Sequence, residues 1–382
     1  MRVALNCLSG VAPNNGARVY VTKLAHALAQ ISGLEIVLLA AKGEARSLPR
    51  ELWGLAHEID VPPARSYGQI SQARTISRAL REAEIDVVHL PNTLPPPWTT
   101  VPMIITIFDM AELHVRRYGK IRTAYRWAVN YIAAHKSKAV ITISQRSKSD
   151  ISRYLKVSPD KIVVTHLGVG DEFVPGEPEN TREVVRRRFG VDRFLLFPGG
   201  IAPNKNVEGA IKAFAEFRRR TGTLTLLVTG EGPREYLRSL QRLSQRLNVD
   251  NSVVWTGCLQ REELPLLYRA AEAVIYPSLH EGFGLPILEA MASGCPVIAA
   301  NTSSLPEVAG GAALLVGPED TSALATAMQS VLSSEGTRRS LVQRGLLRAA
   351  EFSWAKTAVE TYRVYENVMR REGRAADSSP ST

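Results

Sequence analysis

His280-Glu281-Gly282-Phe283-Gly284-Leu285-Pro286-Ile287-Leu288-Glu289-Ala290-Met291-Ala292-Ser293-Gly294-Cys295-Pro296-Val297-Ile298 is the stretch whose local grammar sets the architecture of this chain. Pro286 suits an opening helical position, where a missing N–H costs nothing. Gly294 followed by Cys295-Pro296 reads as a left-handed cap and a stop. Apolar runs flank the stretch, 273–276 before it and 297–300 after it. Strand, glycine turn, short helix and strand form the repeating unit of a parallel sheet covered by helices. Gly282 and Gly284 leave the backbone bare ahead of the helix, so N–H groups there can approach an anion and share it with the positive end of the helix dipole. A diphosphate fits such a place. Glu281 is expected in the turn and Glu289 in the first helical turn, on either side of that anion, where carboxylates can accept hydrogen bonds from hydroxyls.

The same alternation extends in both directions. Upstream, strands are predicted at 3–7, 35–39, 86–89, 103–107, 139–143 and 161–165, with helices at 18–30, 69–83, 122–135 and 145–155, the last capped by Ser144. From Gly168 to about Arg188 the chain carries glycines, prolines and many charges, as an interdomain linker does. A second series follows, with strands at 194–197, 223–228, 252–256 and 273–276 and helices at 208–220, 234–247 and 261–271. The fold class is therefore α/β, with two Rossmann-like doubly wound domains. Ligands of such sheets bind outside the carboxyl ends of the strands, which points to a cleft between two facing domains.

The 382 residues suffice for two ordinary cores, and 45% apolar with 22% charged residues is a globular composition. No uncharged apolar run of about 18 residues is present, and the opening segment lacks the core of a signal peptide. A cytoplasmic protein is expected. Cys7, Cys258 and Cys295 cannot all pair and show no metal spacing, so they read as buried reduced thiols. The net charge of +10 is concentrated: residues 114–165 hold twelve Lys/Arg against Asp150 and Asp160. That basic segment suits a solvated face or an anionic membrane. No stacking motif, finger spacing or helix-turn-helix signal accompanies it, and no nucleic acid is expected.

The full string from His280, continued through Asn301 to Gly310, resembles the Glu, seven residues, Glu motif of the retaining glycosyltransferases of family 4, which have the GT-B fold. The resemblance runs more weakly to about Tyr362. It implies an acceptor-side domain at 1–170, a linker at 171–190, a nucleotide-sugar domain at 191–352, a helix at 353–372 that packs back on the first domain, and a flexible tail at 373–382. It implies that Glu289 holds the ribose diol, that Glu281 contacts the transferred sugar, and that the backbone of Gly282, Phe283, Gly284 and Leu285 positions sugar and phosphate. The implied activity is retaining, metal-independent transfer of a hexose, mannose among them, from a GDP- or UDP-linked donor to a glycan or lipid-linked acceptor, in polysaccharide or glycolipid synthesis. Work at the inner face of the membrane goes with it.

Other expected site residues lie apart in sequence. Phe197-Pro198-Gly199-Gly200-Ile201-Ala202-Pro203-Asn204-Lys205 is a strand, a glycine turn and a lysine before a helix, so Lys205 can neutralise diphosphate charge as the sugar bond breaks. The family places an Arg where this chain has Gly200. Gly16 matches the family glycine that faces the donor. Residues 253–259, including Leu259, are expected to line the base pocket. Many relatives have His-Asp where this chain has Phe108-Asp109. Asp109 keeps its place, to bind a sugar hydroxyl or to orient the loop, and His114, six residues on, is either a substitute histidine reaching the cleft or an ordinary surface histidine. Glu307 matches a glutamate near the donor. Two other readings of the chain are a non-catalytic nucleotide-sugar-binding partner of a membrane glycan complex, prompted by Phe108 and Gly200, and a sugar-nucleotide epimerase on the same architecture.

Overall fold

The computed structural model describes residues 1–7, 16–60, 69–91, 96, 98–114, 120–176, 178–221 and 224–377. The chain forms two compact units, Met1–Gly168 together with Ser353–Thr382, and Val169–Phe352. The first unit contains β1 (Arg2–Asn6), α1 (Gly16–Leu28), β2 (Glu35–Ala41), β3 (Ala56–Ile59), α2 (Gln69–Glu82), β4 (Val87–Leu90), β5 (Met103–Thr106), α3 (Ala111–His114), α4 (Lys120–Lys136), β6 (Ala139–Thr142), α5 (Gln145–Leu155) and β7 (Ile162–Val164). The second holds α6 (Pro178–Phe189), β8 (Phe194–Phe197), α7 (Val207–Thr221), β9 (Thr225–Thr229), α8 (Arg234–Arg246), β10 (Val253–Gly257), α9 (Leu264–Ala270), β11 (Ala273–Tyr276), α10 (Leu285–Ala292), β12 (Val297–Ala300), α11 (Leu305–Ala309), β13 (Leu314–Val316), α12 (Thr321–Ser333) and α13 (Glu335–Ala350). The last helix, α14 (Trp354–Asp377), belongs to the first unit.

Both sheets are parallel, in the order β3-β2-β1-β4-β5-β6-β7 in the first unit and β10-β9-β8-β11-β12-β13 in the second. Strands β4, β5, β6, β8, β11 and β12 are buried at every residue. That explains their reading as unbroken apolar runs, since a strand covered on both faces has no polar side to alternate with. In each sheet the strand order reverses between two central neighbours, β1 with β4 and β8 with β11. The loops leaving the carboxyl ends of such a pair diverge and open a crevice between them.

The structure corrects several expectations. Residues 171–190 are not only a linker: they contain α6, whose Val185 is buried and whose Glu183 pairs with Arg186 and Arg187. Its charges look linker-like along the sequence, but Glu183, Arg186 and Arg187 pair on its exposed side while Val185 packs beneath. Strands β3 and β13 and helices α12 and α13 were not expected either. Asp320 caps α12 through the Ala323 N–H at 2.9 Å, and Ser334 caps α13 through the Thr337 N–H at 3.2 Å. Residues 261–271 break into a 3-10 turn, Arg261–Glu263, and the short α9. Cys258 is exposed and Cys7 half-buried, so only Cys295 is the buried thiol expected of all three. Burial pushes the Cys295 thiol up to about 12.

Glu272, 2% exposed, ties the unexpected helices to the second sheet. Its carboxylate takes Arg182 of α6 at 3.2 Å, Arg193 at 2.8 Å and Arg338 of α13 at 2.7 Å. Burial alone raises its pKa, and the three guanidiniums together hold it below the ordinary value.

In the first unit a buried polar chain joins helix to sheet. The Tyr365 hydroxyl of α14 meets His89 Nδ1 at 2.7 Å, His89 Nε2 meets Thr106 Oγ1 at 2.7 Å, and Thr106 Oγ1 lies 3.3 Å from the Tyr20 hydroxyl. Burial lowers the His89 pKa from 6.5 to about 3. The unfolded chain therefore binds the extra proton first as pH falls, and stability is lost progressively below pH 6.5. Between pH 6.5 and 4.5 the loss from this group should be about 2–3 kcal/mol. Urea midpoints across that range should fall less steeply for His89→Gln, which has nothing to titrate. Identical slopes would remove His89 from the acid response.

Candidate active site

Lys205 and Glu281 come from loops that follow the two strands at the switch point of the second sheet, β8 and β11. The loop after β8 turns at Gly199, at φ +100°, and its N–H bonds the Thr229 hydroxyl at 3.1 Å. A 3-10 turn, Pro203–Lys205, then delivers Lys205, and Asn206 ends the turn in the left-handed region. Lys205 Nζ reaches Glu281 Oε1 at 2.8 Å and the Tyr276 hydroxyl at 2.6 Å. Tyr276 OH in turn donates to Glu281 Oε1 at 3.0 Å, and the Ser278 hydroxyl lies 2.5 Å from the same oxygen. All three donors converge on Oε1, and none among the described residues is placed on Oε2. Tyr276 is wholly buried, and burial followed by the Glu281 charge pushes its hydroxyl well above the ordinary value. It is a fixed neutral donor, not a base.

The backbone around Glu281 is held separately from its side chain. Ser303 sits at φ +57° and its hydroxyl lies 3.2 Å from the Glu281 N–H and 2.6 Å from the Glu281 carbonyl oxygen. The Ser304 hydroxyl lies 2.9 Å from the Glu281 carbonyl and 2.8 Å from that of Phe283. Gly284 follows at φ +115° as the N-cap of α10, and a Cβ there would stand 2.7 Å from the Leu305 side chain. Only glycine accepts both that torsion and that space. The Phe283 ring is buried against Phe352, centroids 5.8 Å apart, so this residue offers its backbone and not its ring. Leu285 opens α10, whose positive end therefore lies beside Gly282–Gly284.

Glu289 is the fifth residue of α10 and lies beyond its first turn, which corrects the placement expected from sequence. The helix starts one residue ahead of Pro286 and carries Glu289 inward. Its buried carboxylate takes the Tyr268 hydroxyl at 3.1 Å and Arg261 at 3.3 Å, and Arg261 also holds Glu172 at 3.0 Å. Burial raises the Glu289 pKa against the lowering pull of Arg261 and the Tyr268 hydrogen bond.

Two family models match the chain, Glycosyltransferase Family 4 over residues 14–173 and Glycosyl transferases group 1 over residues 181–348. The chain is 32% identical over 295 residues to O-antigen chain mannosyltransferase B of Escherichia coli, across 75% of this chain and 76% of that protein. It belongs to the family 4 glycosyltransferases. The glycosyltransferase is also 32% identical over 314 residues to the MMP alpha-(1->4)-mannosyltransferase of Mycolicibacterium hassiacum, across 76% of this chain and 72% of that one. Its fold is shared with the Anabaena HepE protein solved with UDP and glucose, at a TM-score of 0.79 and 20% identity, over 96% of this chain and all of that one.

Three glycine-bearing loops of the glycosyltransferase's second unit lie backbone to backbone. Ile201 N–H bonds the Glu231 carbonyl at 2.9 Å and Gly230 N–H bonds the Gly257 carbonyl at 2.8 Å. A Cβ on Gly230 would stand 2.4 Å from the Gly199 oxygen, and one on Gly232 would stand 1.9 Å from the Ile201 oxygen. At Gly200 itself a Cβ would meet only the Glu231 oxygen, at an ordinary 3.5 Å. Leu259 is buried just past β10. Glu307 lies in the first turn of α11, and its carbonyl accepts Arg348 at 2.7 Å.

Gly16, Asp109 and His114 belong to the first unit. Gly16 opens α1, and residues 8–15 of the loop before it lie outside the described residues. Asp109 Oδ1 accepts the Ala111 N–H at 2.9 Å at the start of α3. His114 Nε2 lies 3.0 Å from Asp150, which Arg146 also holds at 3.2 Å. The Phe108 ring meets Tyr20 edge-on at 5.1 Å.

Sequence reasoning passed over Tyr276, Ser278, Tyr268, Arg261, Ser303, Ser304, Gly230 and Gly232. Thr229-Gly230-Glu231-Gly232-Pro233 after a strand was a readable turn signal. The tyrosines sit in or beside apolar runs and gave none.

Proposed function

We propose that this glycosyltransferase moves a hexose, with mannose the leading candidate, from a GDP- or UDP-linked sugar to a glycan or lipid-linked acceptor in cell-surface polysaccharide or glycolipid synthesis. Retention of anomeric configuration and independence from metal ions belong to the same reading. The observation that carries it is the Lys205–Glu281 pair, at the switch point, with Lys205, Tyr276 and Ser278 all on Oε1 and no described residue placed on Oε2. The relatives named above as mannosyltransferases support the choice of sugar.

Chemically, the diphosphate of the donor accumulates negative charge as the bond to the sugar breaks. In this reading Lys205 and the positive end of α10 meet that charge, together with the backbone N–H groups of Gly282–Gly284 ahead of the helix. Glu281 accepts a sugar hydroxyl on Oε2 and steadies the oxocarbenium-like centre. Glu289, kept fixed by Tyr268 and Arg261, accepts from the ribose diol. The acceptor hydroxyl attacks the face the diphosphate leaves, and the departing phosphate oxygen takes its proton, so no strong protein base is needed.

Thermal stabilisation by UDP, GDP and ADP, each with and without a sugar, tests the donor assignment. One nucleotide at about 100 times its dissociation constant should add about 2.7 kcal/mol. That shift, referred to each protein's own ligand-free melt, should vanish in Glu289→Ala. No shift with any nucleotide would sink the assignment. The anomeric configuration of the product by NMR tests retention, and turnover in a chelator tests independence from metal.

A further inference from the structure

Glu289 is held from two sides. Arg261 reaches Oε1 at 3.3 Å and the Tyr268 hydroxyl reaches Oε2 at 3.1 Å. Among the described residues the carboxylate thus carries one donor on each oxygen, and an ionised carboxylate oxygen accepts about two. One acceptor position on each oxygen is what a vicinal diol requires, because its hydroxyls sit on neighbouring carbons and can be taken one per oxygen. The arrangement depends on how Arg261 approaches. An arginine beside a carboxylate often closes on it as a fork, with parallel N–H bonds that cover both oxygens.

Two residues of the expected linker prevent the fork. Arg261 spends its Nε on Glu172 Oε1 at 3.0 Å, and the Phe173 ring lies against its guanidinium, 5.2 Å from centroid to central carbon. Phe173 is buried and meets the Tyr268 ring edge-on at 5.8 Å, so one ring backs both donors of Glu289. Arg269 fastens the backbone that carries them, donating to the Glu172 carbonyl at 3.2 Å and the Val174 carbonyl at 2.7 Å. The Glu172 carboxylate folds over Gly170, where a Cβ would stand 2.3 Å from Oε2. Glu172, Phe173, Arg261, Tyr268 and Glu289 form a closed ring of contacts within the second unit.

We propose that Glu172 and Phe173 are positioning residues for the donor's ribose: by confining Arg261 to one contact on Glu289 Oε1 they keep an acceptor position on each oxygen for the ribose hydroxyls, and so set a preference for ribonucleotides. Without Glu172 the guanidinium is released to close on Glu289 as a fork, and the diol loses its place. This rests on the reading of Glu289 as the ribose ligand, and the experiment separates the two.

Calorimetric titration of GDP against 2′,3′-dideoxy-GDP, and of UDP against 2′,3′-dideoxy-UDP, reads the diol contact alone, because the members of each pair share base and diphosphate. For the nucleotide that binds, the wild type should prefer the ribo form by about 100-fold, and Glu289→Ala should show no preference. Glu172→Ala should cut the preference to about tenfold or less, while the dideoxy form binds as it does to the wild type. Gly170→Ala, which displaces the same carboxylate without removing its charge, should act in the same direction. Binding of neither nucleotide, a wild type without preference, or a preference that survives Glu289→Ala takes the ribose away from Glu289, and the inference falls with that reading. A preference lost in Glu289→Ala but kept in both Glu172→Ala and Gly170→Ala overturns the inference alone. Equal weakening of the ribo and dideoxy forms in Glu172→Ala overturns it too, since the residue would then only support the fold.

Discussion

Replacing Lys205 by alanine should lower kcat/KM for sugar transfer by about 100- to 1,000-fold, the range seen when a single preorganised group that meets developing charge is removed. The substitution is unusually clean to interpret. Glu281 keeps Tyr276 and Ser278 on Oε1, and its backbone keeps Ser303 and Ser304, so the carboxylate should hold its place without the lysine. The loss should fall mainly on kcat, because the charge on the departing diphosphate is largest in the transition state. Lys205→Arg should recover little, since a planar guanidinium cannot occupy the space of an ammonium held between a phenol and a carboxylate at 2.6 and 2.8 Å. A loss under about threefold with an unchanged melt would take Lys205 out of the reaction, given the magnitudes such groups otherwise show.

Gly232→Ala should destabilise the second unit by about 3 kcal/mol. The added methyl would arrive 1.9 Å from the Ile201 carbonyl oxygen, a backbone atom of a residue whose own N–H donates to the Glu231 carbonyl. Relief requires the loops after β8 and β9 to part, and the first of these delivers Lys205. Nucleotide affinity should therefore fall together with stability. Gly336→Ala in α13 is the matched control: nothing lies within 4 Å of its Cβ, and the change should be neutral or stabilise by up to about 1 kcal/mol. Urea midpoints of the two variants measure the difference. Equal midpoints would mean that the loops yield freely and that their close approach carries no weight in the site.

The fold was legible wherever burial on both sheet faces left an unbroken apolar run, as at β8, β11 and β12. It was not legible at β3, where three of the four residues are not buried, or at β13, where none is, since a strand that short and that little covered leaves no long apolar run. Helix α6 was hidden by its own charge, because Glu183, Arg186 and Arg187 answer one another only when the chain is wound. Helices α12 and α13 had caps in the sequence, Asp320 and Ser334, and lay within reach of a closer reading.

The site divides the same way. Local rules settled what one segment can decide alone: a glycine turn, a helix opened near Pro286 and closed at Gly294, and two carboxylates eight positions apart. A turn's torsions and a helix's ends depend on neighbours a few residues away, so the sequence by itself determined them. It could not determine that Glu281 spends its Oε1 on a lysine 76 residues upstream, or that Glu289 turns inward to Tyr268 and Arg261. Those partners meet only because the parallel order of the second sheet sets β8 beside β11, and because burial gives each polar group there few others to bond.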